Sequence, residues 1–240
     1  MLKDIKAVFF DLDGTLLPLN EDAFIKLYFK LLSKRLIPLN YNPEDLMKVI
    51  WNGTNAMFRN DGSKTNEEVF WQCFKEFYGE DRVDKDRHII DEFYVNEFVL
   101  VKEACDDNPL AREIVDYCNN KGLFVGLSTN PIFPRIATLT RMSFVGLKEE
   151  DFKFITAYED SRYCKPNPKY FMYLLEKYNL KPEEVILFGN NTYEDGDCSL
   201  ACGIKCYMVG DYIIYNPNAK HEYEHIRMDE VIPTIEKHLK

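Results

Sequence analysis

Apolar positions along this chain follow two rhythms. The first apolar run is Ala7 to Phe10, and it stops abruptly at Asp11-Leu12-Asp13-Gly14-Thr15. A short unbroken run closed by turn residues predicts a strand buried on both sides. After Leu16-Leu17-Pro18-Leu19 the pattern turns helical for roughly ninety residues. Ala23, Phe24, Leu27, Tyr28, Leu31 and Leu32 share one face of a first helix. Asn42-Pro43 caps a second, which carries Leu46, Met47, Ile50 and Trp51. Thr65-Asn66-Glu67-Glu68 is a capping box for a third, through Val69, Phe70, Cys73, Phe74 and Phe77. A fourth is expected from about Asp86 to Val101. Four amphipathic helices with no strand between them predict a small bundle.

From Asn108 the rhythm alternates. A helix from Asn108-Pro109 ends at Gly122, and the strand Leu123–Leu127 closes at Ser128-Thr129-Asn130-Pro131. A helix through Ile136, Leu139 and Met142 follows, then a weaker strand, Phe152 to Ala157. Asn167-Pro168 opens a helix through Phe171, Leu174, Leu175 and Tyr178. Val185 to Phe188 is a strand ending at Gly189-Asn190-Asn191, and Lys205 to Val209 is expected to be the last strand. A short helix with Val231, Ile232 and Ile235 ends the pattern. Repeated strand–helix units predict an α/β fold, a Rossmann-like parallel sheet with helices on both faces. The chain leaves this sheet after its first strand and returns near residue 105. The expected division is a core of residues 1–17 and 105–240, with residues 18–104 as an inserted helical lid.

Composition narrows the function classes. A chain of 240 residues can bury a substantial core. A net charge of -10 argues against nucleic acid or an acidic membrane as partner. Asp4 interrupts the start of any signal peptide, and no apolar run reaches membrane-spanning length. Seven cysteines without tight spacing predict free thiols and a cytoplasmic setting. Cys198, Cys202 and Cys206 read as buried thiols rather than zinc ligands, and His221 and His225 as a solvated segment.

The candidate chemistry sits where apolar strands stop. Asp11 and Asp13 fall at the carboxyl edge of the first strand, where open α/β sheets bind ligands. Asp11-Leu12-Asp13-Gly14-Thr15 resembles the first motif of the haloacid dehalogenase-like superfamily, whose members are mostly phosphatases. Leu127-Ser128-Thr129-Asn130 resembles the second motif, and Cys164-Lys165-Pro166-Asn167-Pro168 the third. Phe188-Gly189-Asn190-Asn191-Thr192-Tyr193-Glu194-Asp195 resembles the fourth. The four occur in family order, each after a predicted strand, and the helical insert matches the family's cap.

Phosphoryl transfer needs in-line attack and neutralisation of charge on the transferring oxygens. A carboxylate can attack phosphorus and form an aspartyl-phosphate. Asp11 is the candidate nucleophile, with Mg²⁺ managing the repulsion between carboxylate and phosphate. Asp13 is the candidate general acid and base; the resemblance also gives its main-chain carbonyl to the metal. Thr129 and Asn130 are expected to bind the phosphoryl group, and Lys165 to hold both it and Asp11. The resemblance implies metal ligands at Asp11, Asp13, Asn190 and Asp195. Asn190 departs from the family pattern, which has an aspartate there. Its amide oxygen can ligate a hard cation but brings no charge. The expected activity is hydrolysis of a small phosphorylated metabolite. A sugar-phosphate mutase, or a non-catalytic phosphometabolite-binding protein with a weakened metal site, shares these residues. In the lid, Asn52-Gly53-Thr54-Asn55 and the stretch to Gly62 read as polar turns, which would let Arg59 meet a distal anion. Arg135 and Arg162 are similar candidates near the core motifs.

Overall fold

A computed structural model describes residues 4–239 of the chain. Its centre is β1 (Ala7–Phe10), flanked by β2 (Phe124–Leu127) and β4 (Val185–Gly189). With β3 (Phe154–Ile155), β5 (Lys205–Val209) and β6 (His225–Ile226) the sheet has six strands, ordered β3-β2-β1-β4-β5-β6. Every pairing is parallel. Alternation along β1 feeds two cores, as the two-residue period of a strand requires. Val8 and Phe10 join the side packed by α5 (Pro109–Asn120), α6 (Arg135–Ser143) and α9 (Val231–Glu236). Ala7 and Phe9 join the side packed by α7 (Lys169–Lys177) and α8 (Cys198–Leu200).

Register decides where the chemistry goes. Phe10 stands opposite Leu127 on one side and Phe188 on the other. The residues that follow all three strands therefore emerge together on one sheet edge. The chain leaves β1 for one side and later returns to the other, so this edge holds the crevice typical of open α/β sheets.

Between β1 and α5 lie α1 (Glu21–Leu36), α2 (Pro43–Phe58), α3 (Asn66–Tyr78) and α4 (Glu80–Asn96), then a tight turn of helix over Phe98–Ala104. The caps read from sequence are in place. Asn42 Oδ1 accepts from the amides of Glu44 and Asp45, and Thr65 and Glu68 close a reciprocal capping box. The two chain passages joining this segment to the sheet run side by side. The Asp106 amide donates to the Pro18 carbonyl at 2.9 Å, and Asn108 Nδ2 donates to the Leu16 carbonyl at 2.8 Å. The helices also rest on the sheet's loops. Phe133, after β2, lies 5.9 Å from the Phe24 ring and 5.5 Å from the Tyr28 ring, and Asn66 Nδ2 donates to the Pro131 carbonyl.

Three elements differ from the sequence reading. α4 starts at Glu80, directly after Gly79, because Glu80 and Asp81 favour a helix N-terminus that an apolar count overlooks. Asn52 to Asn55 is not a turn but the interior of α2, with Gly53 and Thr54 buried. Met47 and Trp51 are exposed there, and Leu46, Val49, Ile50 and Met57 form the buried face. β5 is not the last strand: Met208 donates to the Glu224 carbonyl and Gly210 to the Ile226 carbonyl, drawing His225–Ile226 into the sheet. No helix among the described residues is long and apolar enough to cross a membrane.

Asn108 is buried and its amide bridges the two passages. Asn108→Ala is expected to destabilise the protein by about 1–2 kcal/mol in urea denaturation, the cost of orphaning the Leu16 carbonyl. An unchanged midpoint would contradict this account of the junction.

Candidate active site

Asp11 leaves the end of β1 with its amide on the Phe188 carbonyl, which fixes its backbone. Its side chain is buried, and Oδ1 accepts from Lys165 Nζ at 2.8 Å. The same ammonium donates to Asp195 Oδ1 at 2.6 Å. Asp195 Oδ2 in turn accepts from the amides of Asn190 and Asn191 at 3.1 and 3.0 Å. A π-helical turn over Thr192–Asp197, capped by Asn191, aims Asp195 back under the strand. Gly189 permits that approach: a Cβ there would stand 2.5 Å from the Asp195 carboxyl carbon. Gly14, at φ +82°, turns the chain away from Asp11, and the Asn190 amide packs directly against it.

Lys165 serves two buried carboxylates. Burial alone would lower its pKa, but Asp11 and Asp195 outweigh that and hold it well above its ordinary value. Burial pushes Asp11 up to about 7; Lys165 pulls it down, and the negative charge of Asp195 pushes it up again. Glu194 is also pushed up to about 7, chiefly by burial. Asn130 braces this corner, donating to the Lys165 carbonyl and to Glu194 Oε2, while its Oδ1 accepts from the Lys165 amide.

Asp13 stands at the same edge, half-buried, with Oδ1 3.3 Å from Arg141 Nε. The Arg141 guanidinium is fully buried and lies 4.6 Å from the centre of the Phe133 ring. Asp11, Asp13, Thr129, Lys165, Asn190 and Asp195 line one end of a cavity of about 710 Å³, walled elsewhere by α1 to α4.

Residues 8–209 of the chain match the family model described as haloacid dehalogenase-like hydrolase. The chain belongs to that family. It is 28% identical over 191 residues to a pyrophosphatase, PpaX, of Bacillus cereus, covering 79% of this chain and 76% of the relative. Its fold is similar to a 2-haloacid dehalogenase from Pseudomonas syringae, with TM-score 0.66 at 17% identity over 97% of this chain and 99% of that one. It is also similar to a predicted phosphoglycolate phosphatase from Haemophilus somnus, with TM-score 0.60 at 16% identity over 98% and 100%. Membership makes this haloacid dehalogenase-like chain an enzyme, a hydrolase.

Donor chemistry at Asp11 suits a hard divalent cation. Two buried carboxylates share one lysine, leaving a negative excess where Asp11 Oδ2 has only a 3.3 Å contact from Thr15 Oγ1. Asn190 lines the same cavity, with its Nδ2 committed to the Tyr212 carbonyl. Among the described residues no three His, Cys, Asp or Glu side chains converge as a metal cage. One carboxylate with neutral oxygens suits a hard divalent cation that keeps several waters and shares substrate oxygens. Asp195, also expected as a ligand, has Oδ1 on Lys165 and Oδ2 on the main-chain amides of Asn190 and Asn191.

The three arginines considered for a distal anion are elsewhere. Arg59 is exposed at the end of α2 and does not line the cavity. Arg135 pairs with Glu149 and Asp160, and Arg162 donates to the Gly62 and Ser63 carbonyls. Sequence reading missed Arg141, since a lone arginine in an amphipathic helix reads as solvated. Its signal was the small pair Ala137 and Thr138, one turn earlier on the buried face of α6.

A pH-dependent stability follows. The folded pKa of Asp11 lies above its unfolded value, so folding binds a proton between about 4 and 7 and metal-free stability falls as pH rises through that window. Asp11→Asn is expected to exceed wild type by roughly 1–3 kcal/mol at pH 8 in chelator, and to match it only below about pH 4. Equal stability at pH 8 by thermal or urea unfolding would contradict a buried Asp11 whose charge is only partly compensated.

Proposed function

We propose that this hydrolase is a phosphatase acting on a small phosphorylated molecule through an aspartyl-phosphate on Asp11. The arrangement that supports this reading is Asp11 held by Lys165 in the lining of a cavity, with a second acid two residues away. Asp11 attacks phosphorus in line, and the bond to the leaving oxygen breaks as Asp13 gives that oxygen a proton. Asp13, now a base, takes a proton from water, which attacks the aspartyl-phosphate. Inorganic phosphate leaves and the Asp11 carboxylate is restored. Lys165 and Thr129 bind phosphoryl oxygens, and Asp195 keeps Lys165 charged and in place. A divalent cation held by Asp11, the Asn190 side chain and the Asp13 main chain would neutralise phosphoryl charge.

In this reading residues 18–104 form a cap over a core of residues 1–17 and 105–240, excluding water during transfer. Asp13 favours ester hydrolysis over dehalogenation, since a halide leaves without a proton. Unpaired cysteines at all seven positions support a reducing, cytoplasmic setting. The neutral Asn190 supports a second reading, in which the cleft binds a phosphometabolite without turnover.

Phosphate release over a panel of esters separates the two. Wild type is expected to be active with Mg²⁺ and silent in chelator, with Asp11→Asn lowering kcat by on the order of 10³-fold or more. A silent wild type revived by Asn190→Asp would favour binding. Silence in every variant would remove the hydrolytic reading.

A further inference from the structure

The wall facing Asp11 carries a second message. It is built from aromatic rings, among them Phe24, Tyr28, Phe70, Trp71, Phe74 and Tyr158. Their polar tips pair with one another. The Tyr28 and Tyr94 hydroxyls pair at 2.9 Å, and Trp71 Nε1 donates to the Tyr158 hydroxyl at 3.4 Å. What this wall presents to the cavity is mainly ring surface.

Charge on this lining is one-sided. Lys165 is the one cation lining the cavity among the described residues, and Asp11 and Asp195 already share it. Glu21, Asp22, Glu194 and Asp211 line the cavity too. Arg141 sits close by but is buried against Asp13 and Phe133 and does not line it. A second phosphate or carboxylate on a substrate would therefore meet acids and rings, with no cation to pay for its desolvation. At about 710 Å³ the space suits a drug-sized body and far exceeds a two-carbon acid or inorganic pyrophosphate.

We propose that the substrate is a phosphate monoester of an uncharged alcohol with an aromatic or comparably bulky apolar body, and that bisphosphates, pyrophosphate and phosphorylated acids are poor substrates. This rests on the phosphatase reading for turnover, though not for binding. Buried aromatic wall gives the apolar body its affinity through area removed from water and ring–ring contact. The single lysine end fixes the phosphate, so the ester enters body-outward with phosphorus at Asp11.

The test uses the full chain with Mg²⁺. Naphthylethyl phosphate, phosphoglycolate and pyrophosphate are compared by kcat/KM, the two esters both having alkyl leaving oxygens. In parallel, binding of naphthylethylphosphonate and phosphonoacetate is measured by calorimetry. The expected result is at least a tenfold preference for the naphthyl compound in both. Phe70→Ala, at a half-buried wall position, is expected to weaken the naphthyl phosphonate several-fold more than it weakens inorganic phosphate. Equal or better use of phosphoglycolate or pyrophosphate overturns the proposal, as does failure of the naphthyl phosphonate to bind. Selective binding without turnover of any ester leaves the substrate class standing and removes the phosphatase reading instead.

Discussion

One ammonium shared by two buried carboxylates is the constraint on which the site depends. Lys165 holds Asp11 at 2.8 Å and Asp195 at 2.6 Å, all three out of water. A buried pair balances its desolvation only when geometry and further hydrogen bonds are good. Asp195 meets that condition through two main-chain amides; Asp11 does not, having only a long contact from Thr15. The imbalance leaves Asp11 with a raised pKa, the group in the site still lacking positive charge. A nucleophile whose charge is only partly compensated is one that a cation and a phosphoryl group can complete.

The sheet supplies the precision. Parallel register brings the ends of β1, β2 and β4 to one edge, so residues far apart in sequence meet without long loops. The helices between β1 and α5 then enclose that edge, pinned where the two passages pair and where Phe133 and Asn66 dock. The same enclosure sets specificity in this account. A wall of rings whose hydroxyls pair with one another selects by area, and a lining whose one cation among the described residues is already committed rejects extra anions.

Much of this was legible in the sequence because buried parallel strands are short, apolar and abruptly closed. Asp11, Thr129 and Asn190 were each placed by the end of such a run, and the caps at Asn42 and Thr65 by local chemistry. What escaped depends on contacts between distant segments. β6 is two residues long and exists because β5 offers it an edge. Arg141 is buried because Phe133 and Asp13 receive it, and nothing in its own helix says so. Gly53 looked like a turn and is helical, since buried packing overrides a weak local preference. Arg59 was attractive by charge alone, and its exposed position at the end of α2 leaves it outside the cavity.

The central claim is that Asp11 carries the phosphoryl group during turnover. Rapid acid quench during hydrolysis, followed by peptide mass spectrometry, tests it most directly. The account predicts one phosphoryl group on the peptide containing Asp11, absent in Asp11→Asn. Turnover with no phosphorylated peptide, or with the group on another residue, would contradict it.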